Sequence, residues 1–306
     1  MFDQGLWSEK LFQETVGLVL AFIFVVGIGI FILRKKNLHL TAAWASFKSW
    51  LFAAPALLFF LGLSDPWPTV FLTLVSVAAA KIFFQFTGMY HRTNFVWLTY
   101  LGIIALGFLI YENNYNLYLG MPMILLALTC LIPIWRNSYK RMIQYIALTL
   151  LNFSFLWGFL HLGLVIKLDG GAFMLIYIII LTEVCDNLYL GFSRFFNKMK
   201  IASKITPKRS FEGFIAALVL TLLLAWGMRH LLPVRTEPYW IASGLIAVFF
   251  GSLGDVTMAV IRRDLGIKDT GAFILGRSDF LSRLDRLIFV APIFYLVMSY
   301  FQRVGL

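Results

Sequence analysis

Charge is what this chain has least of. Asp, Glu, Lys and Arg make up 13% of its 306 residues, against 60% hydrophobic, where a soluble domain averages about 25% charged. That scarcity excludes a large soluble domain between the apolar segments and marks a polytopic membrane protein. Acid is scarcer than base: 15 acidic residues face 26 Lys and Arg, a net charge of +11. The bases do not gather into a nucleic-acid surface and read as loop residues that set topology. Cysteine is nearly absent. Cys130 and Cys185 sit in apolar runs without CxxC or zinc-ligand spacing, which leaves no disulfide framework and an expectation of two buried thiols. A dinucleotide fingerprint, a Walker A loop, an HExxH helix and a nucleophile elbow are all missing, so the usual soluble-enzyme readings have no support. No repeat, heptad run or low-complexity tail is visible. The first apolar run follows Asp3 and Glu9 and precedes Arg34-Lys35-Lys36. A secretory signal has the reverse charge order, so this run is expected to remain as a span.

Long apolar runs are what the chain does have. Ten segments suit the roughly 20 residues needed to cross a bilayer: 11–33, 48–63, 66–87, 95–111, 118–135, 142–165, 172–190, 211–231, 239–261 and 287–303. The second is short and is joined tightly to the third by Asp65-Pro66-Trp67-Pro68. If that pair is a re-entrant hairpin, two spans are lost together and the orientation of the rest is unchanged. The expected fold is therefore all-α, with about 9–10 transmembrane helices. Loops 34–48, 88–94, 136–141, 191–210 and 262–286 hold 4, 1, 3, 6 and 6 Lys and Arg, twenty against five on the alternate set. The positive-inside rule then puts 191–210 and 262–286 in the cytoplasm, with both termini outside it.

Three polar constellations interrupt the apolar pattern. Thr182-Glu183-Val184-Cys185-Asp186-Asn187 sets Glu183 and Asp186 three apart on one helical face. Two such carboxylates repel unless a cation or basic partner joins them. They read either as a metal or substrate contact or as span-end residues reaching interface water. The second is the basic stretch Lys198, Lys200, Lys204 and Thr206-Pro207-Lys208-Arg209-Ser210-Phe211-Glu212-Gly213. Pro207 marks a turn before a helix. Ser210 and Glu212 suit that helix's first turn, where free N–H groups attract anions. Lys208 and Arg209 stand where a phosphate would dock, or else touch lipid headgroups.

The third constellation is C-terminal. Asp255 lies deep in its span, and an intramembrane carboxylate is a functional hypothesis by default. Gly251 and Gly254 leave room for close backbone approach. Asp279, Ser282 and Asp285 recur every third residue, with Arg283 and Arg286 nearby. Carboxylates from two segments plus bases are a recipe for Mg²⁺ and a polyphosphate. A buried ion-pair network joining two helices would use the same residues.

Taken together, residues of roughly 170–300 resemble the phosphatidate cytidylyltransferase family, also called CDP-diacylglycerol synthase. Ser252, Gly254-Asp255, Arg262-Arg263, Gly266-Ile267-Lys268-Asp269-Thr270-Gly271 and Arg283-Leu284-Asp285 fall at the spacing of its C-terminal signature. Upstream, Asp186 and Thr206 to Gly213 match a span aspartate and a Ser-Pro-Lys-Lys-Thr-x-Glu-Gly type loop. The chain departs from the signature at Arg277-Ser278-Asp279, where the family has His-Gly-Gly, and at Ser282, where it has an Asp. Asp279, one helical turn earlier, would be the substitute carboxylate.

The resemblance implies transfer of a cytidylyl group from CTP to phosphatidate or a related lipid phosphate, giving a CDP-lipid and pyrophosphate. It implies Mg²⁺ on Asp255 and Asp285, with Asp279 as a further ligand. Asp186, Asp255, Asp269, Asp285 and Lys268 would form the catalytic set. Lys208, Arg209, Ser210, Glu212, Arg263 and Arg283 would bind substrate or shape its loop. It also implies a division into a divergent region 1–165 and a cytidylyltransferase-like region 166–306, a homodimer, a bacterial inner membrane and a polar site facing the cytoplasm. Two other readings stay open: a catalytically impaired relative that binds lipid, nucleotide or a membrane partner, and a CTP-dependent lipid-alcohol kinase.

Overall fold

The computed structural model describes residues 5–33, 40–196, 198–201, 203–266 and 284–305, the side chains of 30, 33 and 40–49 excepted. Among the described residues ten α-helices follow one another: α1 (Lys10–Leu33), α2 (Leu40–Leu61), α3 (Trp67–Phe86), α4 (Thr93–Tyr111), α5 (Tyr115–Trp135), α6 (Met142–Ile166), α7 (Gly171–Phe195), α8 (Phe211–Gly227), α9 (Glu237–Asp264) and α10 (Leu287–Val304). Short 3-10 turns lie at Leu6–Ser8 and Arg229–Leu231. Among the described residues there is no strand beyond an isolated bridge between Lys200 and Ser210. The protein is an all-α polytopic membrane protein. Helices suit such a sequence because lipid offers the backbone no hydrogen-bond partners, so each span must satisfy its own.

Among the described residues eight helices are long and apolar enough to cross a membrane; the apolar stretch Trp50–Leu61 of α2 and the whole of α8 are shorter. With 17 residues, α8 reaches only about 26 Å at 1.5 Å per residue. Its length is set by a serine cap at one end and the Arg229–Leu231 turn beyond Gly227 at the other.

The packing explains which helices hold the site. The most enclosed span is α6, which touches α3, α4, α5, α7 and α10. A second group forms around α7, which packs on α8 and α9, while α9 packs on α10. Lipid is as apolar as leucine, so close backbone approach and internal hydrogen bonds take over from hydrophobic drive. Thr149, Thr182 and Ser243 each donate a hydroxyl to the carbonyl four residues back, at 2.6–2.7 Å. At Gly254 a side-chain carbon would collide with the Asp285 carbonyl, so α9 meets the start of α10 there without a spacer. Gly251, the other expected close approach, has only ordinary van der Waals neighbours, Thr182 at 3.5 Å being nearest. Outward-facing Leu18, Trp97 and Ile134 are exposed, as a lipid-facing surface requires. Cys185 is buried and free, as expected, whereas Cys130 is only half-buried.

Loops that the charge count assigns to one face meet one another. Lys167 pairs with Asp65 at 2.5 Å, and Gln302 in the last turn of α10 donates to the Asp169 carbonyl at 3.0 Å. On the opposite set, Arg136 donates to Asn94 at 2.8 Å, and Arg263 donates to the Lys204 carbonyl.

Candidate functional site

Four separate segments converge beside α7, at and just past its midpoint. Glu183 and Asp186 come from α7 itself, Asp255 from α9, Arg209 from the loop before α8, and Arg286 from the residue before α10. The loop is shaped by its own hydrogen bonds. Lys200 and Ser210 form an antiparallel bridge, and the Phe211 N–H donates to the Met199 carbonyl at 2.7 Å. The Met199 N–H donates to the Glu212 carboxylate at 3.0 Å. Ser210 caps α8 by accepting from the Gly213 N–H at 3.1 Å, and its own N–H donates to the Ser193 hydroxyl at 3.1 Å. Gly213 lies so close to Ser193 that no side chain fits between them. Ser210 and Glu212 thus fasten the loop to α7 and aim Arg209 inward. Lys208, one residue earlier, is exposed.

Arg209 is buried and donates to Asp186 Oδ1 at 2.8 Å and to Asp255 Oδ2. Its guanidinium lies 4.6 Å from the centre of the Tyr189 ring, a cation–π contact strengthened by burial. Arg286 serves the same carboxylates. Its Nε donates to Asp255 Oδ2 at 2.9 Å, its Nη2 pairs with Asp186 Oδ2, and its Nη1 lies 3.7 Å from Glu183 Oε2. Glu183 also accepts from the Trp50 indole N–H at 3.1 Å, which ties α2 to α7. Beside this group Arg262 pairs with Asp285. Charges so deeply enclosed persist only when paired, because an unpaired one bears its full desolvation cost. Burial pulls the Arg209 guanidinium down, but Asp255 and Asp186 outweigh it and hold the pKa above its ordinary value. The Asp285 carboxyl is pushed up to about 7, by burial first, against the opposing pull of Arg262. Its Oδ1 is buried and has no hydrogen-bond partner among the described residues.

These contacts decide how a divalent ion would fare. Mg²⁺ asks for a near-octahedral shell of oxygens at about 2.0–2.1 Å. Both oxygens of Asp186 and one of Asp255 already face guanidinium nitrogens. Asp255 and Asp285 stand in separate ion pairs rather than on one shared centre. Among the described residues no group of three His, Cys, Asp or Glu side chains is disposed to hold a metal. As arranged, the described carboxylates do not fit a resident metal ion. The cavity between Asp186, Arg209, Asp255 and Arg286 measures about 10 Å³, room for about one water.

A larger, apolar cleft of about 470 Å³ adjoins the cluster, between α1, α2 and α7, with the end of α8 and the Arg229–Leu231 turn also on its wall. Along α7 it follows one helical face from Ile176 to Asn187, a run of about 16 Å at 1.5 Å per residue. Val19, Phe22, Ala54 and Leu57 line the opposite side, and Glu183 is shared with the charged cluster.

The structure therefore brings together Asp186, Arg209 and Asp255, with Ser210 and Glu212 supporting them and Asp285 alongside. Arg263 is exposed and holds the basic loop by its backbone instead of entering the cluster. Lys268, Asp269, Asp279 and Arg283 lie outside the described residues, as do Arg277, Ser278 and Ser282. Trp50, Tyr189 and Arg262 were not among the expected site residues. Arg286 stands in the sequence as one of the bases beside Asp285, and one signal points to it: a cation at the start of an apolar helix opposes the helix dipole and needs acidic company.

Comparison with known proteins covers more of the chain than the motifs do. The cytidylyltransferase family matches residues 44–301. The uncharacterized protein YnbB of Escherichia coli (strain K12) is 29% identical over 134 residues, 44% of this chain and 45% of that protein. The phosphatidate cytidylyltransferase of Haemophilus influenzae is 34% identical over 136 residues, 43% of this chain and 46% of the relative. That of Thermotoga maritima is 27% identical over 152 residues, 48% and 56% respectively. These alignments span about half the length of the curated relatives. The family match runs from within α2 to within α10 and includes every described segment that contributes to the charged cluster, and the chain belongs to the cytidylyltransferase family.

Proposed function

We propose that this protein transfers the cytidylyl group of CTP to phosphatidate or a related lipid phosphate. In that reaction a lipid phosphate oxygen attacks the α-phosphorus of CTP, the bond to the β-phosphate breaks, and pyrophosphate leaves with a CDP-lipid as product. The observation that carries this reading is the placement of two kinds of surface on one helix. Just past its midpoint α7 meets two enclosed guanidinium groups, and along the same stretch runs an apolar cleft. A lipid phosphate has both a group for the arginines and a chain for the cleft. Arg209 and Arg286 would exchange carboxylate for phosphate oxygens, a positioning and charge-neutralising role that phosphoryl chemistry rewards. Lys208, exposed at the loop, would meet the nucleotide's outer phosphates. Mg²⁺ enters this reading as the counter-ion that a nucleoside triphosphate brings with it, since it commonly binds through substrate phosphates and one or two carboxylates. Lys268, Asp269, Asp279 and Arg283 would contribute from the segment between α9 and α10. The charge bias of the loops supports a site facing the cytoplasm, and the bacterial relatives support an inner membrane.

The test is transfer of label from α-labelled CTP to phosphatidate by purified protein in detergent with Mg²⁺. Labelled lipid that disappears in Asp255→Asn supports the reading. Lipid phosphate and CDP as products from a lipid alcohol would make it a kinase instead. One observation favours a second reading: Glu183, Asp186, Asp255 and Asp285 all face arginines. A cluster closed on itself suits a relative that binds without transferring. Absence of label in the parent, with activity appearing once Ser282→Asp is combined with His-Gly-Gly at 277–279, would decide for that second reading.

A further inference from the structure

Each of the three nitrogens of the Arg286 guanidinium faces a different carboxylate: Nε faces Asp255, Nη2 Asp186 and Nη1 Glu183. Asp255 belongs to α9 and the other two to α7, so one side chain closes the gap between two helices. Such a fork is planar, always charged and less strongly hydrated than an ammonium, which makes it the cation best suited to this enclosure. Its position is otherwise unfavourable. Arg286 immediately precedes the first residue of α10, where the helix dipole repels positive charge. Burial also acts against its charged form, yet Asp186, Asp255 and Glu183 raise its pKa well above the ordinary value. The site thus retains a cation where both helix geometry and burial oppose one.

We propose that Arg286 is a resident cation, occupying the place among Glu183, Asp186 and Asp255 that a divalent ion would otherwise take. With Arg209 it puts two positive charges among three carboxylates, the charge of one divalent ion. While Arg286 is in place the three acids are unavailable as metal ligands. A small neutral residue at 286 would leave Arg209 alone with three carboxylates and open an oxygen-rich gap between α7 and α9.

The experiment is a titration of the full chain in detergent with Mn²⁺ alone, followed by electron paramagnetic resonance of the free ion, with neither nucleotide nor lipid present. Its outcome is therefore independent of whether the protein transfers a cytidylyl group. The parent is expected to bind no Mn²⁺ that Asp255→Asn or Asp186→Asn removes. A parent site that either substitution abolishes overturns the proposal, and needs no folded Arg286 variant to do so. Arg286→Ser, checked for an unchanged elution profile and circular dichroism, is expected to bind Mn²⁺ at least about tenfold tighter than the parent. That gain should vanish when Asp255→Asn is added. A folded Arg286→Ser with no gain also overturns it.

Discussion

Arg286 and Asp255 are joined by a 2.9 Å hydrogen bond from Nε to Oδ2, which links the entry of α10 to the middle of α9. The same Asp255 oxygen also accepts from Arg209, so one carboxylate holds two segments that are far apart in the chain. Asp255→Asn leaves both guanidiniums enclosed with less negative charge around them. Breaking a buried pair on one side costs about 3–5 kcal/mol. The lower end is expected here, because Asp186 still serves both arginines. Thermal unfolding in detergent should show a clearly lower midpoint. An unchanged midpoint would mean that these ion pairs do not hold α9 to α10.

The Asp285 carboxyl carries a pH dependence whose sign can be worked out. Its pKa is raised from 3.8 to about 7 by burial, with Arg262 pulling the other way and Asp255 adding to the rise. Across that interval the folded protein keeps a proton that the unfolded chain has released. Stability from this group is therefore full below the lower value and is lost as the pH climbs through the upper one. The unfolding midpoint should fall as the pH rises from about 4 to about 7, the two ends of that window, and the fall should be smaller in Asp285→Asn. An equal fall in the variant assigns the pH dependence to other groups.

The two glycines of α9 should behave differently. At Gly254 a methyl group would meet the Asp285 backbone carbonyl, which cannot move without shifting the start of α10. At Gly251 the nearest atoms are side-chain carbons at ordinary distance. Gly254→Ala is expected to cost about 1–3 kcal/mol as overpacking, whereas Gly251→Ala should be close to neutral. Similar midpoints for the two variants would show that α9 and α10 are not in backbone contact.

The helices were largely legible because a span must be apolar over its whole length, which composition alone reveals. The end of α8 was less so: the expected span ran to residue 231, but the helix stops at Gly227 and a 3-10 turn follows. The acids of the cluster were also legible, since a carboxylate stands out in an apolar run. Their partners were not. The sequence offers Arg209 as a phosphate contact and Arg286 as one of the bases beside the C-terminal acids, and both reach the same two aspartates. Which arginine meets which acid depends on how α7, α9 and two connecting segments come together, and no local spacing encodes that. Trp50 is further still, 133 residues from the Glu183 it contacts. Of the two uses open to the C-terminal acids, the described contacts form an ion-pair network between helices.

The serine before α8 is expected to matter more than a surface cap. Ser210 accepts from the Gly213 N–H, donates to the Phe196 carbonyl and anchors its own N–H on Ser193. Losing a cap costs about 1 kcal/mol. Here the loss also frees the segment that aims Arg209. Ser210→Ala should therefore reduce transfer more than its modest drop in melting temperature explains, while Ser210→Thr, which keeps the hydroxyl, should recover most of it. Equal activity in Ser210→Ala and the parent would detach the loop's anchoring from Arg209's placement.

The apolar cleft offers the sharpest separation of lipid from nucleotide. Ala54 is buried on α2 and lines the cleft opposite α7. Ala54→Phe would fill part of the space without touching Arg209, Asp255 or Arg286. If a lipid chain lies along α7, the apparent KM for long-chain phosphatidate should rise by about tenfold, the mark of lost uniform binding. Short-chain phosphatidate, which does not reach the filled part, should react as before, and CTP dependence should not change. Overpacking can itself destabilise a helix pair, so the melting midpoint is the control for a general defect. Equal slowing of long and short chains, at an unchanged midpoint, would place the chain elsewhere. A selective loss of the long chain would tie the cleft and the charged cluster into one binding surface, with Glu183 on the border between them.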